Sequence, residues 1–180
     1  LGGGADWQRL VGEAYAHFPQ FDGAQWRRHL DLPFEWQEGG GALRAWARVE
    51  RGRIAELTAD LALPALTLRL APGLQPLALR DVQGRVSARH DAGGLALRAE
   101  DFTFADARGG VWPATDLAVV LRQDGRDPAA PVTGGRIDAE RLDLALMAAV
   151  ADRLPLGDAL RGLLAELRPE GLVEGLHAQW

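Results

Sequence analysis

Nucleophilic catalysis needs a Ser, Cys, Thr or Lys within reach of a base. This chain has no Cys, no Lys and a single serine, Ser87. Its neighbour His90 lies three residues on, and on a strand that odd spacing sends the two side chains to opposite faces. No Ser–His pair is therefore expected. The histidines His17, His29, His90 and His177 are scattered, and none sits in the H-x-x-x-H or H-E-x-x-H arrangement that places two ligands on one helical face. No metal and no cofactor is expected. Glu13 and His17 stand four apart, which reads as a surface pair on a helix. Asp138 with Glu140, or Glu100 with Asp101, come nearest to the paired carboxylates of a glycosidase. Asp138 and Glu140, beside Arg136 and Arg141, instead suggest a solvated charge ladder on one strand face. The glycine runs 2–4 and 39–41 lack phosphate-loop spacing and read as turns or linkers. Trp7, Trp26, Trp36, Trp46, Trp112 and Trp180 could line a sugar cleft, with packing the ordinary role of such rings. The inventory predicts no catalytic residue, and an enzyme is the least favoured reading.

The elements that would position these residues follow from hydrophobic period. Trp7, Leu10, Val11, Ala14 and Phe18 recur at helical spacing, with Asp6 as cap and Pro19 as stop, which predicts an N-terminal helix; a shorter helical piece is expected over 22–30. From Ala42 the period becomes two: Leu43, Ala45, Ala47 and Val49 share a face, and the alternation resumes in Ile54 to Leu63, Leu66 to Leu70, Leu77 to Arg80, Gly84 to Arg89, Leu95 to Ala99 and Leu117 to Leu121. At Glu100 and Asp101 the apolar phase slips by one residue before Phe102 and Phe104, which predicts a β-bulge. After a strand near 135–139 the pattern turns helical, with Asp143 a cap and Pro155 a stop. A second helix from Asp158 carries Leu160, Leu163, Leu164 and Leu167, and strand-like residues close the chain.

The expected class is α+β: mainly an antiparallel β meander, curved and partly open, with an N-terminal helix and two adjacent Leu-rich helices near the C-terminus. Its parts are a helical or linker segment (1–41), the meander (42–140), a helical pair packing on the sheet (141–170) and a final strand (171–180), all in one structural domain. A net charge of −5 carried without lysine leaves no basic footprint for nucleic acid. No apolar run approaches the roughly 20 residues that span a bilayer. No leader opens the chain, which reads as part of something longer.

Three stretches resemble the YhdP family of AsmA-like bacterial envelope proteins. The first is Leu30-Asp-Leu-Pro-Phe-Glu-Trp36, Gly41-Ala-Leu-Arg-Ala-Trp46 and the strand 52–63; the second is Leu79-Arg-Asp-Val-Gln-Gly-Arg85, Gly94-Leu-Ala-Leu97, Asp101-Phe-Thr-Phe104 and Gly110-Val-Trp-Pro113. The third is Arg136-Ile-Asp-Ala-Glu-Arg-Leu142, Arg153-Leu-Pro-Leu156, Leu167-Arg-Pro-Glu-Gly171 and Leu176-His-Ala-Gln-Trp180. The resemblance implies an internal segment of a longer periplasmic protein anchored in the inner membrane. Its stacked strands would form an apolar groove for phospholipid transport toward the outer membrane, with phospholipid or another acyl-chain lipid and adjacent segments of the same protein as partners. It carries no catalytic motif. On that reading the lipid-contacting candidates are Leu66, Leu68, Leu70, Leu77, Leu79, Leu95, Leu97, Phe102, Phe104, Leu117, Val119 and Leu121. Covered by the two Leu-rich helices, the same residues would be ordinary core, which is the commoner fate of a strand leucine. A purely structural or interaction module with pairing sheet edges is the alternative function.

Overall fold

Consecutive period-two segments joined by short turns pair most readily with their sequence neighbours, and the chain folds accordingly. The computed structural model describes residues 11–26, 34–50, 53–91, 94–107, 109–123, 132–156 and 158–180. Its strands are β1 (Val11–Asp22), β2 (Glu35–Glu50), β3 (Arg53–Arg69), β4 (Leu77–Asp91), β5 (Gly94–Asp106), β6 (Val111–Gln123), β7 (Val132–Asp143) and β8 (Leu172–Gln179). They form one 8-stranded sheet in sequence order, antiparallel throughout and not closed, with β1 and β8 as its edges. A single helical turn, α1 (Gly23–Trp26), follows β1, while α2 (Leu144–Val150), a 3₁₀ turn (Ala151–Arg153) and α3 (Asp158–Leu167) lie between β7 and β8.

The expected N-terminal helix is not formed: residues 11–22 are β1, paired with β2 from Val11↔Glu50 to Asp22↔Gly40. Asp6, Trp7 and Leu10 lie outside the described residues, as do residues 27–30 of the short helix expected over 22–30, of which Gly23–Trp26 form α1. Ala14 and Phe18 stand four apart, a spacing that a helix and a strand both put on one face, and pairing with β2 decides between them. The glycine run 39–41 is likewise not a linker but the interior of β2. Its register slips there, and a Cβ on Gly39 or Gly40 would meet the Ala65 carbonyl oxygen at 2.3 Å or the Phe21 carbonyl oxygen at 2.0 Å. Only glycine permits so close a backbone approach.

The bulge expected at Glu100 and Asp101 is present. Asp101 has φ +48, its N–H donates to Asp116 Oδ1 at 3.0 Å, and the register to both neighbouring strands shifts around it. Leu63 and Leu66 on β3, and Leu79 and Val82 on β4, are all buried although their spacing is odd; the slip falls at Pro64 and at Asp81, whose φ is +50. Such bulges bend the sheet and keep apolar residues on one side of the bend.

The first of the C-terminal helices starts as its cap requires. Asp143 Oδ1 accepts the Leu146 N–H at 2.9 Å at the head of α2, satisfying a donor the helix leaves free. The main core lies under the end of α2, where Leu63, Leu66, Leu77, Leu79 and Val82 pack with Val150, flanked by Trp36, Phe102, Phe104 and Leu154. On α3 only Leu164 is buried; Leu160, Leu163 and Leu167 remain 48%, 50% and 64% exposed, so that leucine stripe does not seal the sheet as a packed helical pair would.

Candidate functional site

In an antiparallel sheet, directly paired residues point to the same side, so the register can be read straight across all strands. One such row runs Ala14, Ala47, Leu57, Ala88, Leu97, Val119, Ile137, Ala178. The next on the same side runs Ala16, Ala45, Ala59, Val86, Ala99, Leu117, Ala139, Leu176. No polar residue interrupts either row. The alanines of these rows are not among the lipid-contacting candidates named from the sequence, which are all large side chains.

This apolar face has two parts. At one end it is the core just described: Leu66, Leu77 and Leu79 are buried there, and Leu68, Leu70, Phe102 and Phe104 pack against them. Phe104 also stacks on Trp112 at a centroid distance of 5.3 Å. Toward the other end Leu95, Leu117, Val119 and Leu121 are half-buried, and Leu97 is 37% exposed. The sequence candidates thus divide into a covered group, from Leu66 to Leu79 with the two phenylalanines, and an open group of Leu95, Leu97, Leu117, Val119 and Leu121. A third row on the open part reads His90, Leu95, Leu121, Gly135. The Trp180 indole lies against Gly135, where a Cβ would stand 2.4 Å from the ring.

The opposite face is charged and internally paired. Across the sheet one row reads His17, Arg44, Asp60, Arg85, Glu100 and another begins Glu13, Arg48, Glu56, Arg89. Arg85 grips Asp60 through Nε at 2.7 Å and a second nitrogen at 3.2 Å, and Arg44 approaches the same carboxylate at 3.1 Å. The Arg85 hydrogen bond holds the Asp60 carboxyl below its ordinary range against the opposing effect of burial, with lesser help from the charges of Arg85 and Arg44. Near the β8 edge Asp138 accepts from Arg136 at 2.6 and 2.9 Å and lies 2.6 Å from His177 Nδ1; the Arg136 bond first and His177 second depress its carboxyl. Opposite charges alternating across strands stabilise the register and keep this side wet.

The residues weighed for chemistry are not assembled. Ser87 lies on the charged side between Thr58 and Arg98, whereas His90 belongs to the apolar side. Glu140 is 3.3 Å from the Arg141 guanidinium, while Asp138 is engaged by Arg136 and His177. Trp46 and Tyr15, with ring centroids 5.3 Å apart, do border a shallow depression of about 400 Å³ with Glu13 and Glu56. Arg48 stands between those carboxylates in the register and bonds Glu56 at 2.7 Å, so they do not face each other as an acid–base pair. Among the described residues no group of three or more His, Asp or Glu is gathered for a metal ion.

The family resemblance implied stacked β-strands, and the described strands form one open antiparallel sheet in chain order. A family model described as YhdP protein matches residues 1–180, the whole chain. No curated protein and no solved structure matches. By that full-length match the chain belongs to the YhdP family of AsmA-like bacterial envelope proteins.

Proposed function

We propose that this chain is a non-catalytic periplasmic segment of a protein anchored in the bacterial inner membrane, and that its apolar sheet face shelters acyl chains of phospholipid moving between inner and outer membrane. The observation that carries the reading is the pair of unbroken apolar rows, partly open to solvent beyond the helix-covered core. Each methylene withdrawn from water contributes about 0.8 kcal/mol, so a dozen carbons gain roughly 10 kcal/mol before ordering costs. Because the two rows are apolar from end to end, no position along them holds an acyl chain much better than the next, and it can slide. The charged side faces water and keeps the segment soluble.

The test is native mass spectrometry with lipid extraction, on the chain purified after expression in a bacterial periplasm. Co-purifying phospholipid supports the trough. A lipid-free chain favours a second reading, a structural module that extends a longer sheet, for which the edge positions of β1 and β8 among the described strands speak.

A further inference from the structure

Among the described residues of the apolar face, one buried polar side-chain atom has no partner. The Nε2 of His90 is shielded from solvent and has no hydrogen-bond partner. His90 pairs with Leu95 across β4 and β5, next to the last pair of that hairpin, Asp91↔Gly94, and so lies at the far end of the strands from the core under α2. Elsewhere on this face a polar group is fully served: Thr115 Oγ1 accepts the Arg141 N–H at 3.0 Å and donates to the Arg141 carbonyl oxygen at 3.1 Å. A buried nitrogen left without a partner costs free energy that a ligand oxygen would recover.

We propose that His90 is the polar anchor of the trough, donating its Nε2–H to an ester carbonyl or phosphate oxygen of a glycerolipid whose tails lie along the apolar rows. This rests on the lipid reading above. It adds an orientation: the oxygen-bearing part of the lipid sits beside the His90↔Leu95 pair, and the tails run past Ala88, Leu97 and Val119 toward the helix-covered core. The χ2 torsion of histidine is soft, so the ring can turn Nε2 toward the trough without a change of χ1.

The experiment follows the histidine ring nitrogens by long-range ¹H–¹⁵N spectroscopy as dihexanoylphosphatidylglycerol, dihexanoylglycerol or decane is added, with His17 and His177 as internal references. The His90 signal is expected to move with the two oxygenated lipids and not with decane. His90→Leu should weaken binding of the oxygenated lipids by about three- to tenfold, the worth of one hydrogen bond, while leaving decane unchanged. His90→Gln, which keeps an N–H donor, should retain most of the affinity. A response to phosphatidylglycerol alone identifies the phosphate oxygen; a response to both identifies the ester carbonyl. If all three ligands bind while the His90 signal stays still and His90→Leu binds as tightly as the native chain, the anchor is refuted and the trough stands. If none binds, both fall.

Discussion

Leu97 distinguishes an open trough from a sealed core more sharply than any other side chain. It sits mid-row between Ala88 and Val119, and its side chain is 37% exposed where Leu63 on the covered part is 1% exposed. Full burial of a leucine contributes about 2 kcal/mol. At its actual exposure Leu97 supplies about two-thirds of that, and an aspartate in its place keeps contact with water, so Leu97→Asp should cost about 1–2 kcal/mol. Leu63→Asp strands a carboxylate among Leu66, Leu79 and Val82, which costs several kcal/mol or more and should prevent folding. Urea unfolding followed by circular dichroism measures the first. Native mass spectrometry of the same folded variant should then find the co-purifying lipid lost. A Leu97→Asp loss above about 4 kcal/mol would place Leu97 in a sealed core and refute the open trough. An undiminished lipid complement in the folded variant would remove this row from the binding surface.

Gly40→Ala brings a Cβ to 2.0 Å from the Phe21 carbonyl oxygen; hydrogen exchange should show β1 amides losing protection, whereas Gly12→Ala, with nothing within 4 Å of the new atom, should stay within about 0.5 kcal/mol of the native chain. Asp143→Ala removes the acceptor at the head of α2 and should cost about 1 kcal/mol in urea unfolding. Asp60→Asn tests the charged side. Because the folded state lowers this carboxyl, its stabilisation is present above the unfolded value of about 3.9 and lost as pH falls through the folded one. Asp60→Asn should therefore be about 0.5–1 kcal/mol less stable near neutral pH, less so in high salt, and indistinguishable from the native chain in strong acid. A deficit that persists in strong acid would remove the ion pair as its cause.

The meander, the bulge at Asp101 and the Asp143 cap were legible because each leaves a local mark: alternation, a phase slip, or a short polar side chain before an apolar run. β1 was misread because Ala14 and Phe18 satisfy both periods and Pro19 looks like a helix stop, although an edge strand tolerates proline. The glycine run at 39–41 was misread because close approach of a neighbouring backbone is not local information. For the candidate face, alternation picked out the leucines and phenylalanines. Whether a given leucine is core or trough wall depends on where α2 comes to rest, and Leu66 and Leu97 look alike until Val150 is placed. Of the alanines that carry much of both rows, Ala45 and Ala47 helped mark a strand face, but none marked a ligand surface, because alanine is common everywhere.

The strand order, which never departs from chain order, bears on how the fold is acquired. Each strand needs only its predecessor as a template, so a chain supplied from its N-terminus can build the sheet strand by strand from β1 to β7, and β7 alone holds an open edge until residues 144–171 have passed and β8 arrives. Low sequence separation between partners favours rapid folding. The same property makes length an easily altered dimension, since adding or deleting a hairpin shifts an edge and leaves the remaining pairings as they were.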